Sequence, residues 1–142
     1  MMTISIQSES QSLAGALQTF RQQRLKTFRE RLVREVIDQT VQRVVSRHPV
    51  ETGRSRAAWE NARQQLTDQV SASADTDSSA NFTNDLQHTT AEVTNKVDYI
   101  VLLEEGTRQM RPHQMVSRSL AEVRSLITQT AESLFGEEML TR

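Results

Sequence analysis

The chain has 142 residues, of which 36% are hydrophobic and only 4% aromatic, so we expect one domain with a core of Leu, Val, Ile and Ala. Cysteine is absent, which excludes a disulfide framework, a thiolate nucleophile and any Cys-ligated metal site. The 17 Lys and Arg residues nearly balance the 18 Asp and Glu residues, and the net charge of -1 argues against a nucleic-acid binder held by bulk charge.

The first predicted element is a long amphipathic helix over residues 8–48. Steps of three and four dominate between apolar residues from Leu13 to Val45, which places them in one stripe on a helix. A step of five from Phe20 to Leu25 breaks this stripe. Pro49 ends the helix because it lacks an amide donor and disfavours the α conformation of the residue before it. The part of this helix that carries the apolar stripe, some 34 residues, spans about 50 Å, which is more than the width of a domain of this size. We therefore expect part of this helix to pack on something outside the domain.

The second predicted region, residues 50–97, is a small antiparallel sheet with a mobile loop at 71–88. Short polar and small residues fill 71–80 without a large apolar group, which is typical of a loop or of a hairpin tip. Strands are predicted on both sides, over 55–69 and over 89–95. The second of these alternates apolar and polar residues.

Two further helices are predicted after the sheet. A short apolar helix lies within 98–107 and ends at Gly106. A C-terminal amphipathic helix covers 112–135, opens after Pro112 and is capped by Gly136. Long helix, small antiparallel sheet, short helix and C-terminal helix together predict the α+β class.

Opposite charges concentrate in two different parts of the chain. Between positions 20 and 34 there are six basic residues and one acid, and between positions 68 and 98 there are six acids and one lysine. Patches of this kind allow a protein to stack on copies of itself or on ordered neighbours. The simpler interpretation is a solvated helix face and an acidic loop.

No constellation of residues indicates an enzyme, a metal site or a cofactor. The histidines His48, His88 and His113 lie far apart and match no metal-ligand spacing. Glu104 and Glu105 are adjacent, so their carboxylates point in different directions and do not converge on one bond. The chain also lacks a glycine-rich phosphate loop, a membrane-length apolar run and a signal pattern, which predicts a soluble protein made in a cytoplasm.

Two short segments carry the most information. The first is an acidic residue followed by Thr-Gly-x-x-Arg, and the second is Tyr-x-x-x-x-Glu-x-Gly-Thr. Their residues are Glu51, Thr52, Gly53 and Arg56, and then Tyr99, Glu104, Gly106 and Thr107. In this order, with helices at both ends, the chain resembles the neck or tail-completion proteins of long-tailed phages, also described as minor tail components of the minor tail protein Z type. Ser55 and Ile100 depart from the family's usual residues, which puts the strand packing there in doubt.

The resemblance implies a structural virion protein without catalysis or cofactor, located in the neck at the top of the tail and present in the host cytoplasm during assembly. Copies would form a homo-oligomeric ring that meets the tail terminator and the head-closure or connector proteins, with the tail tube or tape-measure protein as further partners. DNA would be passing cargo only, and no membrane is involved. The loop at 71–80 would order only on meeting another ring.

The residues suggest how such subunits would join. We expect basic side chains of the first helix to project toward an acidic segment of a neighbouring copy, and Glu104 to form a salt bridge with Arg56. Trp59 is expected in the core. The predicted interface residues are Arg21, Arg24, Arg29 and Arg34 on the basic side and Asp75, Asp77 and Asp85 on the acidic side.

A different class of function also fits the basic stretch. A small helical protein could bind nucleic acid through the cations of its first helix, and such binding would weaken steeply with salt. Phe20 and Phe28 belong to the apolar stripe, so they are poor candidates for stacking on bases.

Overall fold

A computed structural model describes residues 7–49, 53–68 and 77–140 of the chain. The prediction of an α+β fold is confirmed, with four helices and one two-stranded antiparallel sheet in the described residues. In chain order the elements are α1 (Gln7–Arg47), α2 (Gly53–Asp68), β1 (Ser78–Asn84), β2 (Thr89–Asn95), α3 (Ile100–Glu105) and α4 (Met115–Leu140). None of the helices in these ranges combines the length and the apolar character that crossing a membrane requires.

Helix α1 is the axis of the molecule, and its predicted extent of 8–48 is confirmed to within one residue at each end. Its 41 residues span about 60 Å at the usual rise per residue. Only the C-terminal half is well covered, and it includes Val41 and Val44, each 2% exposed. The helix ends one residue before His48, where Pro49 prevents its continuation.

Helix α4 lies antiparallel to α1. Near the end of α1, Arg43 and Arg47 both form ion pairs with Glu122, in the second turn of α4. Towards the end of α4, the ring of Phe135 meets that of Phe28 edge to face, with 6.1 Å between the ring centroids. Residue numbers increase along α1 as they decrease along α4, so the two helices run in opposite directions. The contact between Phe28 and Phe135 shows how far along α1 the helix α4 extends.

A strand was predicted over 55–69, but helix α2 occupies residues 55–68 of that segment, so the prediction was wrong. Its buried residues are Ser55, Ala58, Trp59, Ala62 and Leu66. Their steps of three, one, three and four define one face of a helix, whereas a strand would bury every second residue. The many Ala, Arg, Gln and Glu residues also favour a helix. Trp59 lies in the core, as expected.

The hairpin of β1 and β2 covers α1 and α2 on one side. Strand β2 has the predicted bounds, and the register pairs Ser78 with Asn95 and Asn84 with Thr89. The prediction of a mobile loop over 71–88 was wrong for 77–88, which hold β1 and an ordered turn, while 71–76 lie outside the described residues. Strand β1 was not predicted because most of its side chains are small or polar, and Phe82 is its only large apolar residue.

The core lies where the C-terminal half of α1, α2, α3 and the start of α4 meet. Its buried members are Val41, Val44, Trp59, Leu103 and Met115. Helix α4 begins at Met115, which is 0% exposed, and continues through Gly136 to Leu140. The prediction that Gly136 caps the helix was therefore wrong, since a helix interior tolerates a glycine at a modest cost in stability.

Candidate assembly surface

The N-terminal part of α1 extends beyond every other described element. Phe28 already faces Phe135 near the end of α4, and Arg29 holds the turn of the hairpin. From Ala14 to Leu25 every residue is exposed. We call Gln7–Leu25 the arm, and at the usual helical rise it projects by roughly 28 Å.

The arm carries apolar side chains that no described part of the chain covers. Leu17 is 59% exposed, Phe20 is 53% exposed and Leu25 is 47% exposed. The guanidinium of Arg24 lies over the ring of Phe20, 4.7 Å from its centroid, and Arg21 is one turn beyond Leu17. No acid occurs between positions 11 and 29. The arm therefore presents an apolar surface bordered by cations, and such a surface is suited to an acidic, partly apolar partner.

Arg29 and Arg34, which were predicted to reach a neighbouring copy, are held within the chain. Arg29 donates through Nη2 to the carbonyls of Asp85 at 3.0 Å and Leu86 at 2.9 Å. Arg34 donates to the carbonyl of Leu66 at 2.6 Å and lies over the ring of Phe82, 3.9 Å from its centroid. Within the chain both guanidinium groups bind the hairpin and α2 to α1, and contact of these arginines with a neighbouring copy stays a prediction.

Two acids predicted for the other side of the interface are also occupied within the chain. Asp77 accepts from Arg54 Nε at 2.6 Å, and this hydrogen bond together with the charge of Asp77 raises the pKa of Arg54. Asp85 closes the hairpin turn by accepting from the amides of His88 and Gln87, and these bonds lower the pKa of its carboxyl. Asp75 lies outside the described residues.

The motif residues mostly organise the chain. Glu51 and Thr52 lie outside the described residues, Gly53 begins α2, and Arg56 is exposed on that helix. The predicted salt bridge between Glu104 and Arg56 was wrong, since the Glu104 carboxylate accepts from the amides of Val116 at 3.0 Å and of Ser117 at 2.8 Å. Burial raises the pKa of Glu104, but hydrogen bonds from the Ser117 hydroxyl and these amides outweigh it and lower the pKa overall.

The second motif also fixes the turn between α3 and α4. Tyr99 precedes α3 and packs on the core. Gly106 has a φ of 79°, and a Cβ there would lie 2.7 Å from the nitrogen of Pro112. The hydroxyl of Thr107 accepts from the amide of Met110 at 3.1 Å. These contacts make Gly106 the residue that the turn requires, since only glycine combines this φ with so close an approach.

Helix α3 exposes a second surface that the sequence analysis did not identify. Leu103 anchors the helix in the core, while Val101 is 56% exposed and Leu102 is 51% exposed. Asp98 and Glu105 border this apolar pair, and both are exposed. Neither carboxylate forms a direct ion pair with another described residue, but the charge of Asp98 adds to the larger effect of Asp77 in raising the pKa of Arg54. We call Asp98, Val101, Leu102 and Glu105 the α3 patch. Of the four apolar residues of helix α3 only Leu103 is buried, and the sequence could not indicate which one would be.

A buried polar cluster joins α1, α2 and β2. His48 Nε2 lies 2.9 Å from the hydroxyl of Ser55, and the amide of Asn95 donates to the Ser55 carbonyl at 2.9 Å. His48 is 5% exposed, and its burial lowers the pKa of the imidazole. Ser55 is 0% exposed. This His and Ser pair therefore ties three elements together rather than presenting a nucleophile to solvent.

An open groove of about 560 Å³ runs between α1, α2 and α4. Ile37, Leu66 and Leu134 line its floor, and Arg63 on its wall forms an ion pair with Asp38. Within the ranges that the structure describes, no three His, Asp or Glu side chains converge as a metal site would require.

No family profile, curated protein sequence or solved structure matches this chain. The resemblance to phage neck proteins therefore stays a prediction that depends on the two motifs and their order. The exposed arm and the α3 patch are physical features of this chain and do not depend on that resemblance.

Proposed function

We propose that this protein is a structural subunit of a tailed-phage virion, and that identical copies assemble into a ring at the junction of head and tail. The observation that carries the proposal is the arm, whose apolar residues from Leu17 to Leu25 have no cover among the described residues. A helix of this length and exposure is suited to a subunit whose neighbours supply the missing burial. The order of the two motifs around Gly53 and Gly106 supports the neck in particular.

In this function the ring continues the channel between the tail tube and the head connector. Its partners are further copies of the chain, the tail terminator and the head-closure proteins, and DNA passes through as cargo. The core around Trp59 and Met115 keeps each subunit rigid, because both side chains are buried where several elements meet. The arm is then presented in one orientation, which a closed ring requires.

The test removes the gene from the phage genome that encodes it and examines the lysate by electron microscopy. Loss of the protein should leave separate full heads and separate tails, and the wild-type gene supplied in trans should restore joined particles. A gene carrying Leu17→Ser and Phe20→Ser should fail to restore them. Its matched control carries Gln18→Ser and Gln22→Ser, on exposed polar positions of the same arm, and should succeed. Normal virions after the deletion would contradict the proposed function.

A second candidate function is binding of nucleic acid through the arm and the residue that follows it. The cations Arg21, Arg24 and Lys26 favour such binding because no acid occurs between positions 11 and 29. Since Arg29 and Arg34 are held inside the chain, few cations remain for phosphates. The discriminating measurement is binding to duplex DNA between 50 and 200 mM salt, by fluorescence anisotropy. Three phosphate contacts would make the affinity fall by roughly a factor of forty over that range, and such a fall would favour this candidate.

A further inference from the structure

The arm and the α3 patch lie at opposite ends of α1. The patch is anchored by Leu103, which packs in the core cluster with Val41 and Val44. Leu17 of the arm precedes Val41 by 24 positions, or roughly 36 Å along a straight helix. An arm therefore cannot reach the α3 patch of its own chain without α1 breaking.

The two surfaces are complementary in chemistry. The arm offers the apolar pair Leu17 and Phe20 with the cations Arg21 and Arg24, and the α3 patch offers an apolar pair between two carboxylates. The guanidinium of Arg24 is already stacked on the ring of Phe20, which reduces the conformational entropy that Arg24 loses when it binds a carboxylate. Apolar contact would supply affinity, and the opposite charges would fix the register.

We propose that the arm of one copy docks on the α3 patch of the next copy. The inference rests on the proposed function in one respect, the choice of a second copy as the occupant. Because the two surfaces differ, the contact is head to tail: each copy uses its arm on one side and its α3 patch on the other. Such contacts continue until the rotation between copies closes a ring.

Charge reversal tests the contact from both sides. One variant carries R21E and R24E in the arm, and the other carries D98K and E105K in the α3 patch. Each alone should raise the concentration for half-assembly at least about tenfold, measured by light scattering coupled to size exclusion. Mixed in equal amounts, the two should recover assembly, because every arm then meets a patch of opposite charge. The control carries R118E and R124E on the exposed face of α4 and should assemble normally.

A second pair of variants guards against a patch variant that fails to fold. Val101→Ser with Leu102→Ser removes the apolar contact and leaves the charges, and circular dichroism should show an unchanged melting temperature because both side chains are more than half exposed. This variant should also weaken assembly at least about tenfold. Assembly at the wild-type concentration by this folded variant would overturn the contact.

The outcomes separate the contact from the proposed function. Wild-type protein that assembles while both charge-reversed variants assemble equally well overturns the contact, and the phage deletion then judges the proposed function alone. If the wild-type protein stays monomeric at every concentration, the proposed contact between copies is also overturned. Mutual rescue by the two variants supports it even if the deleted phage still joins heads to tails, a result that would remove only the proposed function.

Discussion

The two halves of α1 differ in their surroundings far more than in their sequence pattern. In both halves most apolar residues recur every three or four positions, but Leu17 is 59% exposed whereas Val44 is 2% exposed. The difference arises because α2, α4 and the hairpin lie along the C-terminal half only. An amphipathic stripe therefore shows that a helix needs a partner and does not show whether that partner belongs to the same chain.

The largest expected difference between the two halves concerns stability. Changing Val41 and Val44 together to Ala should lower the free energy of unfolding by about 3–5 kcal/mol, because both side chains are buried and the deletion leaves a cavity. The matched pair Leu17→Ala and Phe20→Ala in the arm should change it by less than about 0.5 kcal/mol. Urea denaturation of dilute protein measures both. Equal losses would show that the arm is packed in the subunit.

Replacing an arginine should also destabilise the protein more in the C-terminal half of α1 than in the arm. Arg29→Ala should lower the free energy of unfolding by about 1–2 kcal/mol, because it removes two hydrogen bonds from a cation to the hairpin turn. The loss is no larger because the site is only partly buried. Hydrogen exchange at the amides of Gln87 and His88 should quicken. Arg21→Ala, on the exposed arm, should leave both the stability and this exchange unchanged. Unaltered exchange in the Arg29 variant would mean that the guanidinium does not hold the turn.

Glu104 should contribute about 1 kcal/mol to the free energy of unfolding, because its carboxylate caps the first turn of α4. Glu104→Gln removes the charge, and Glu105→Gln is its control because Glu105 is exposed. The Glu104 pKa is lower in the folded state, so its contribution is present above the unfolded pKa and is lost as the pH falls through the folded value. Stability measured between pH 6 and pH 3 should therefore fall less in the Glu104 variant than in the wild type.

His48 should give the smallest effect. Its pKa is lowered by burial, so the unfolded chain binds a proton more readily than the folded chain. The stabilisation is complete above the unfolded pKa of about 6.5 and is lost as the pH falls towards the folded pKa. His48→Gln keeps a polar group near the Ser55 hydroxyl and should remove this dependence between pH 7 and pH 5. If the stability of the wild-type protein did not depend on pH in this range, His48 would not be buried in its neutral form.

Local patterns predicted some elements closely. Strand β2 and helix α1 were predicted nearly to the residue, since alternation in one and steps of three and four in the other are local properties. Helix α2 was missed because two exposed arginines, Arg54 and Arg56, flank the buried Ser55 and imitate a strand. The end of α4 was missed because Gly136 alone does not stop a helix that still packs on α1 through Phe135.

The candidate site was predicted only in part, because its composition depends on contacts between distant parts of the chain. The basic stretch was recognised, but the division between the exposed Arg21 and Arg24 and the bound Arg29 and Arg34 depends on where the hairpin packs. The α3 patch depends on Leu103 being the residue that enters the core. Neither fact follows from local spacing.

The most direct test of the central claim places the arm of one copy against the α3 patch of another by cross-linking. The chain has no cysteine, so single cysteines can be introduced cleanly at Ala14, one turn before Leu17, and at Val101. When the two variants are mixed, a short bismaleimide should join them into a dimer of twice 16.2 kDa. Ser125→Cys, exposed on α4, should not join to the arm variant. Equal cross-linking at Ser125 and Val101, or none at Val101, would contradict the account.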